Sequence, residues 1–219
     1  RRAKLEVCAG LKSYSGEESM LNATLVVDSI LYDEIKNTYK NLDLIAFDSI
    51  DRSLFTVDRY LISEGLIADI NAVSKLAKLL GLNDKQIAAG LAKYSPGEGR
   101  GKFIYDKDGN LYIDETYNAN PEAVRNSVNA MIKQFPEDYK IALIGDILES
   151  EAGLIDELFS EIRSYENDNF RLIDARGLNA QQAFDILKQI ETTKRRVILV
   201  KASRGAKFEE IMRFAVCQP

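Results

Sequence analysis

Four short stretches of this 219-residue chain place charged and amide side chains directly after an apolar run. They are Asp114-Glu115-Thr116-Tyr117-Asn118-Ala119-Asn120-Pro121, Gly145-Asp146, Asp174-Ala175-Arg176-Gly177 and Lys201-Ala202-Ser203-Arg204-Gly205. A cleft lined by Lys, Arg, Asn and carboxylates suits an anionic, hydrogen-bonding ligand such as a nucleotide or a carboxylate. Asn120 and Pro121 also read as the cap and first residue of a helix, and both readings hold together. The chain has no histidine, which removes Ser-His-Asp triads, His-ligated zinc and histidine acid–base chemistry. Chemistry here must use Lys, Arg, carboxylates or amides, or a segment outside this sequence. Cys8 and Cys217 stand near opposite ends with no metal-ligand spacing, the usage of a reduced, cytoplasmic protein.

The elements that would position these residues alternate. Leu5, Cys8 and Ala9 have helical spacing that stops near Gly10, so the chain opens on the end of a helix. Thr24-Leu25-Val26-Val27, the helix-like Ile30-Leu31 to Ile35, and Leu42 to Phe47 read as a βαβ unit, which implies parallel pairing. Helices follow over 70–81 and 84–94, the first with Ile70, Val73, Leu76, Ala77 and Leu80 on one face and the second capped by Asn83. Ser95-Pro96-Gly97-Glu98-Gly99-Arg100-Gly101 gathers Pro with three glycines, which marks a domain boundary at 96–101. Beyond it, Phe103–Tyr105 and Leu111–Ile113 flank an Asp-Gly step, a hairpin signal. Helices at 121–134, 154–164, 179–190 and 206–215 then alternate with strands at 140–145, 170–174 and 196–200, the pattern of an α/β domain with a mostly parallel sheet.

Composition narrows the function. A net charge of −5 with 46% hydrophobic residues is that of a globular protein. The mild acidity argues against nucleic-acid binding, which needs a basic face. No apolar run approaches the roughly 20 residues that span a bilayer, and Arg1-Arg2-Ala3-Lys4 does not open a secretory leader. There is no initiator Met and a helical pattern is already running at Arg1, so the expectation is a fragment of a longer protein.

Ile113-Asp114-Glu115-Thr116-Tyr117-Asn118-Ala119-Asn120-Pro121 closely resembles the Asp-Asp-Ser-Tyr-Asn-Ala-Asn-Pro signature of the Mur ligases, in the branch that adds D-alanyl-D-alanine to a UDP-N-acetylmuramoyl-tripeptide. Other segments resemble family stretches in the same order: Ala3-Lys4-Leu5-Glu6 with Gly10-Leu11, Ile70-Asn71-Ala72, Gly97 to Gly101, Leu143 to Glu149, and Val200 to Gly205. The resemblance implies the end of a central ATP-binding domain over 1–97 and a Rossmann-like C-terminal domain over 98–219. It matches Lys4 to a lysine that several Mur ligases carbamylate, a catalytic ligand for magnesium. It matches Asn71 to an adenine contact and Arg100 to a contact with the ATP phosphates. Glu115 takes the place of the aspartate that holds the ribose, one methylene longer, and Tyr117 and Asn118 match the nucleotide side of the cleft. Asp146, Lys201, Ser203 and Arg204 match segments near the incoming amino component.

The family's Gly-x-x-Gly-Lys-Thr phosphate loop, a magnesium-binding glutamate and a magnesium-site histidine belong upstream of Lys4 and are not in this sequence. Ile67-Ala68 stands where the family has a His-Asn pair. The resemblance implies a fragment of a cytoplasmic, monomeric, ATP- and Mg2+-dependent amide ligase of cell-wall precursor synthesis, acting on a UDP-linked peptide and D-alanyl-D-alanine, with no nucleic-acid or membrane partner. Taken alone, the fragment is expected to be inactive. Two alternatives stay open: a non-catalytic ligand-binding module, and a divergent Mur-type ligase, for example of the pseudomurein type, with another substrate.

Overall fold

The computed structural model describes residues 24–28, 32–33, 36–37, 43–47, 59–148 and 150–217. Lys4 and the helix end expected around residues 5–10 lie outside them. The chain forms two compact units: β1, β2 and residues 66–92 fall in one, and 59–65 with 93–217 in the other.

In the first unit, β1 (Thr24–Asp28) and β2 (Asp43–Phe47) pair in parallel, Thr24 opposite Asp43 through Asp28 opposite Phe47. The expected connecting helix is helical where it is described, at 32–33 and 36–37. α1 (Glu64–Leu79) starts six residues before the expected 70, because Ile67 extends the apolar face of Ile70 backwards and Gly65 falls in the first turn, where it is tolerated. Asn71 is therefore an interior residue of the helix and is buried, which rules out a capping role. Val73, Leu76 and Leu80, expected to share the buried face of Ile70, are exposed. α2 (Asp84–Leu91) opens on a capping box: Gln86 N donates to Asn83 Oδ1 at 3.0 Å, and Asn83 N donates to Gln86 Oε1 at 2.9 Å.

The second unit is a five-stranded sheet between two helical layers. The strands are β3 (Lys102–Tyr105), β4 (Leu111–Glu115), β5 (Tyr139–Ile144), β6 (Phe170–Asp174) and β7 (Arg196–Lys201), in the spatial order β3-β4-β7-β5-β6. β3 and β4 form the expected antiparallel hairpin, and the other neighbours are parallel. The inner strands read as unbroken apolar runs because both of their faces are buried. Leu111, Ile113, Ala142, Ile144, Val197 and Leu199 face α3 (Pro121–Gln134) and α4 (Ala152–Arg163). Their alternates Tyr112, Ile141, Leu143, Ile198 and Val200 face α5 (Ala180–Lys188) and α6 (Glu210–Val216). The last helix begins later than the expected 206, because Arg204–Ala206 forms a separate 3-10 turn ended by Lys207 at φ +54°.

Both outer strands are partly capped. At β6, the Leu172 N–H donates to the Glu166 carboxylate at 3.0 Å, which blunts an edge that would otherwise invite pairing. At β3 the cover comes from residues 59–63, a stretch with no strand signature in the sequence. Phe103 N donates to Arg59 O (3.2 Å), Leu61 N donates to Gly101 O (2.9 Å), and Tyr60 bridges Lys102. Gln134 at the end of α3 clamps the same stretch, accepting from Ile62 N (3.1 Å) and donating to Tyr60 O (3.2 Å).

Candidate functional site

The C-terminal ends of β4, β7, β5 and β6 open on one edge of the sheet, where ligands collect in open α/β folds. β7 comes last in the chain yet sits between β4 and β5, so the loops after β4 and β7 are neighbours. All four polar stretches lie at these strand ends.

The glycine-rich stretch at 97–101 is seated on the end of β4. The Asp114 carboxylate, buried, accepts from Gly99 N at 3.0 Å and from the Thr116 hydroxyl at 2.6 Å. Gly101 N donates to Asp114 O at 2.6 Å, and Tyr117 N donates to Gly99 O at 3.2 Å. Gly99 takes φ +72°, and a Cβ there would stand 2.6 Å from Tyr117 N, so only glycine fits.

This seating brings Arg100 over Tyr117, with its guanidinium carbon 4.1 Å from the ring centroid. Arg204, from the 3-10 turn after β7, has its guanidinium carbon 5.6 Å from the same centroid. All three side chains belong to exposed residues, and among the described residues neither arginine makes an ion pair. Behind them Lys201 is buried and committed: Nζ donates to Glu115 Oε2 at 2.6 Å and to Asn118 O at 3.1 Å. The Ser127 hydroxyl of α3, 2.8 Å from the Ala123 carbonyl, lies 3.1 Å from the same Glu115 oxygen and shares its one hydrogen between the two. One oxygen of the Glu115 carboxylate, Oε2, is thus engaged inside the protein.

Asp146 and Ser203 knit the loops after β5, β6 and β7. Ser203 N donates to Asp146 O (2.8 Å), Leu148 N to Ser203 Oγ (3.0 Å), and Gly177 N to Asp146 Oδ1 (3.0 Å). At the end of β6, Arg176 donates to Asp174 at 2.9 and 2.7 Å and to Asp156 at 3.1 Å, and lies over Phe159 at 4.0 Å. The hydrogen bonds from Arg176 hold the Asp174 carboxyl below its ordinary value, against the opposing effect of burial.

The structure therefore gathers Arg100, Glu115, Tyr117, Asn118, Lys201 and Arg204 in one place, with Asp146 and Ser203 in adjoining loops. Asn71 lies in the other unit, and Lys4 is outside the described residues. Among the described residues no group of three or more His, Cys, Asp or Glu is placed to hold a metal ion. Sequence reasoning missed Ser127, whose only signal is a hydroxyl among the buried residues Val124, Val128 and Met131 of α3. It also missed that Asp114 seats the linker; the adjacency of two carboxylates at a strand end was the visible clue.

The sheet and its two helical layers have the fold seen in Mur ligases. The chain is similar to UDP-N-acetylmuramoylalanyl-D-glutamyl-2,6-diaminopimelate–D-alanyl-D-alanyl ligase from Acinetobacter baumannii, with a TM-score of 0.69 and 20% identity over 90% of this chain and 51% of that one. It is similar to MurF from the same organism, with a TM-score of 0.70 and 19% identity over 90% and 52% of the two chains. MurF from Thermotoga maritima, solved in complex with ADP, gives 0.65 and 20% over 89% and 53%. The chain thus spans about half the length of these ligases. The sequence matches no protein-family model and no curated protein sequence. No described helix is long and apolar enough to cross a membrane.

Proposed function

We propose that this chain is part of an ATP-dependent amide ligase of the Mur type, with residues 98–219 as its C-terminal domain and 1–97 as the end of its ATP-binding domain. The observation that supports this most is the strand-end string Asp114–Pro121, seated against the glycine-rich stretch so that Arg100 and Arg204 share the Tyr117 ring.

The reaction converts a carboxylate of a UDP-linked muramoyl peptide into an acyl phosphate at the expense of ATP; the amine of D-alanyl-D-alanine then attacks the carbonyl and phosphate leaves. The described residues contribute charge neutralisation and positioning, the two largest sources of catalysis when the chemistry belongs to the substrates. Arg100 offers a permanently charged fork of donors to the phosphates. Tyr117 and Asn118 line the nucleotide side, and Asn71 contacts the adenine. Arg204, Ser203 and Asp146 stand on the side of the amino component. Lys201 and Glu115 act from behind, by holding Asn118 and the end of β4. Lys4, carbamylated, would hold a magnesium ion. The protein works as a cytoplasmic monomer, and residues 1–219 alone give no turnover.

The test is to read the coding DNA upstream of the Arg1 codon and to assay the full reading frame. An in-frame Gly-Lys-Thr or Gly-Lys-Ser loop, and ATP-dependent ligation that prefers D-alanyl-D-alanine over glutamate, is the expected result. Ligation of a different acceptor would retain the ligase and replace its substrate. A frame with no phosphate loop and no nucleotide binding overturns the proposal.

A further inference from the structure

We infer that a cavity between β6 and the end of α5 is a binding site for a zwitterionic α-amino acid with a branched aliphatic side chain, its carboxylate held by Arg171 and its ammonium by Glu191. The inference stands apart from the ligase reading, because the cavity lies within the sheet unit and uses none of the residues given to the nucleotide or to the amino component.

Two observations carry it. The first is room against an apolar wall. The cavity measures about 380 Å³, within the range of pockets that hold small molecules. Ile141, Leu143 and Ile173 face α5 and α6, so by strand alternation Tyr139 and Arg171 stand on that same face. Ile186 and Ile190 close the wall from the end of α5. Ile186 is 39% exposed, so an aliphatic side chain entering there covers apolar surface that water now touches.

The second is a charge of each sign that the protein does not spend. Arg171 and Glu191 both line the cavity and are exposed. Among the described residues neither makes an ion pair or a side-chain hydrogen bond, with the other or with any neighbour. The Asp174 carboxylate does not neutralise Arg171, because it is committed to Arg176. Gln189 adds an amide to the same lining.

This combination selects the ligand. A simple anion entering the cavity meets the Glu191 carboxylate and a simple cation meets Arg171, and either juxtaposition of like charges is unfavourable. A zwitterion satisfies both: the guanidinium takes a carboxylate through two parallel hydrogen bonds, and the Glu191 carboxylate accepts from an ammonium. A zwitterion without a side chain leaves the isoleucine wall in water, so the branched aliphatic members of the class fit best.

The experiment is a heteronuclear NMR titration of L-leucine into residues 1–219, followed at the amides of Ile173 and Ile190. N-acetyl-L-leucine, L-leucinamide and glycine are the companion probes, lacking the ammonium, the carboxylate and the side chain in turn. We expect saturable shifts with leucine at millimolar concentration or below, and binding of each companion weaker by about tenfold or more. The variants are Arg171→Gln and Glu191→Gln, both at exposed positions where the fold tolerates change. Glu191→Gln should weaken leucine about tenfold without weakening N-acetyl-L-leucine, and Arg171→Gln should weaken leucine about tenfold without weakening L-leucinamide. A merely structural role for either residue would weaken all the probes alike. Absence of saturable binding by the parent chain, a companion probe that binds as tightly as leucine, or a variant that weakens leucine and its matched probe equally would overturn the inference. Because the readout is binding and not turnover, failure here leaves the ligase proposal untouched, and success does not depend on it.

Discussion

Replacing Lys201 with methionine tests whether the strand-end site stands on a buried ion pair. The Lys201 side chain is 4% exposed and that of Glu115 16%, with Nζ and Oε2 2.6 Å apart. Methionine fills most of the lysine volume but strands the Glu115 carboxylate, which keeps only the Ser127 hydroxyl as a described partner. Removing one member of a buried pair costs about 3–5 kcal/mol. The surviving bond from Ser127 and the residual exposure of Glu115 place the loss near the lower end, about 3 kcal/mol. A loss of that size leaves a domain of ordinary stability folded. The double variant Glu115→Gln, Lys201→Met strands no charge and should recover at least half of the loss. Amide hydrogen exchange at Ile113, Leu143 and Leu199, in the centre of the sheet, reads the stability of this unit without interference from the other. A single-variant loss under about 1 kcal/mol, or a double variant as unstable as the single, would refute the reasoning and leave Lys201 free to serve a ligand directly.

Three further outcomes follow from other contacts. Gly99→Ala should cost about 1–3 kcal/mol in the seating of the linker, seen as lost exchange protection of the Tyr117 amide; unchanged protection would contradict the close approach at Gly99. Asp174 has its folded pKa depressed by Arg176, so its stabilisation is fully present above the unfolded aspartate value of about 3.9 and is lost as pH falls through the lower folded value. The stability gap between the parent and Asp174→Asn should accordingly be flat above that range and close in acid, and a gap that widens in acid would sink the assignment. Tyr112 is pushed up to about 12, by burial first and then by Asp106. Ultraviolet titration should show a late phenol step that Tyr112→Phe removes, whereas ionisation of Tyr112 together with the exposed tyrosines would count against its buried place.

Much of the sheet was legible because its periodicity is unambiguous. β6 and α3 fall at their expected limits, since Asn120-Pro121 caps one and a short apolar stretch ending at Asp174 marks the other. The placement of Arg100, Tyr117, Lys201 and Arg204 near one another was legible because they follow strand ends or the stretch seated on one, whereas Asn71 lies in the other unit. What escaped was set by contacts distant in sequence. Nothing local distinguishes Arg59–Ser63 as a strand, because its partner Lys102 lies beyond two helices. Nothing local says that Lys201 points inward: lysine is normally solvated, and only Glu115 on a neighbouring strand makes burial tolerable. The start of α1 was misplaced for a different reason, as Gly65 dilutes the helical pattern at the very turn that opens it.

The edge cover of β3 has a consequence for how this chain can be divided. Because residues 59–65 belong with the sheet while 66–92 do not, the backbone passes between the two units three times. Severing the chain within the glycine-rich stretch would break the covalent link, yet the N-terminal piece would still lend its Tyr60 and Leu61 to the C-terminal one through backbone hydrogen bonds. The two halves would travel together as a nicked pair. Residues 98–219 expressed alone would carry a bare strand edge and an empty seat for Tyr60 and Leu61, both of which are only 3% exposed in the intact chain. The portable module, for grafting or for recombination between relatives, is the sheet together with the short strap that precedes α1.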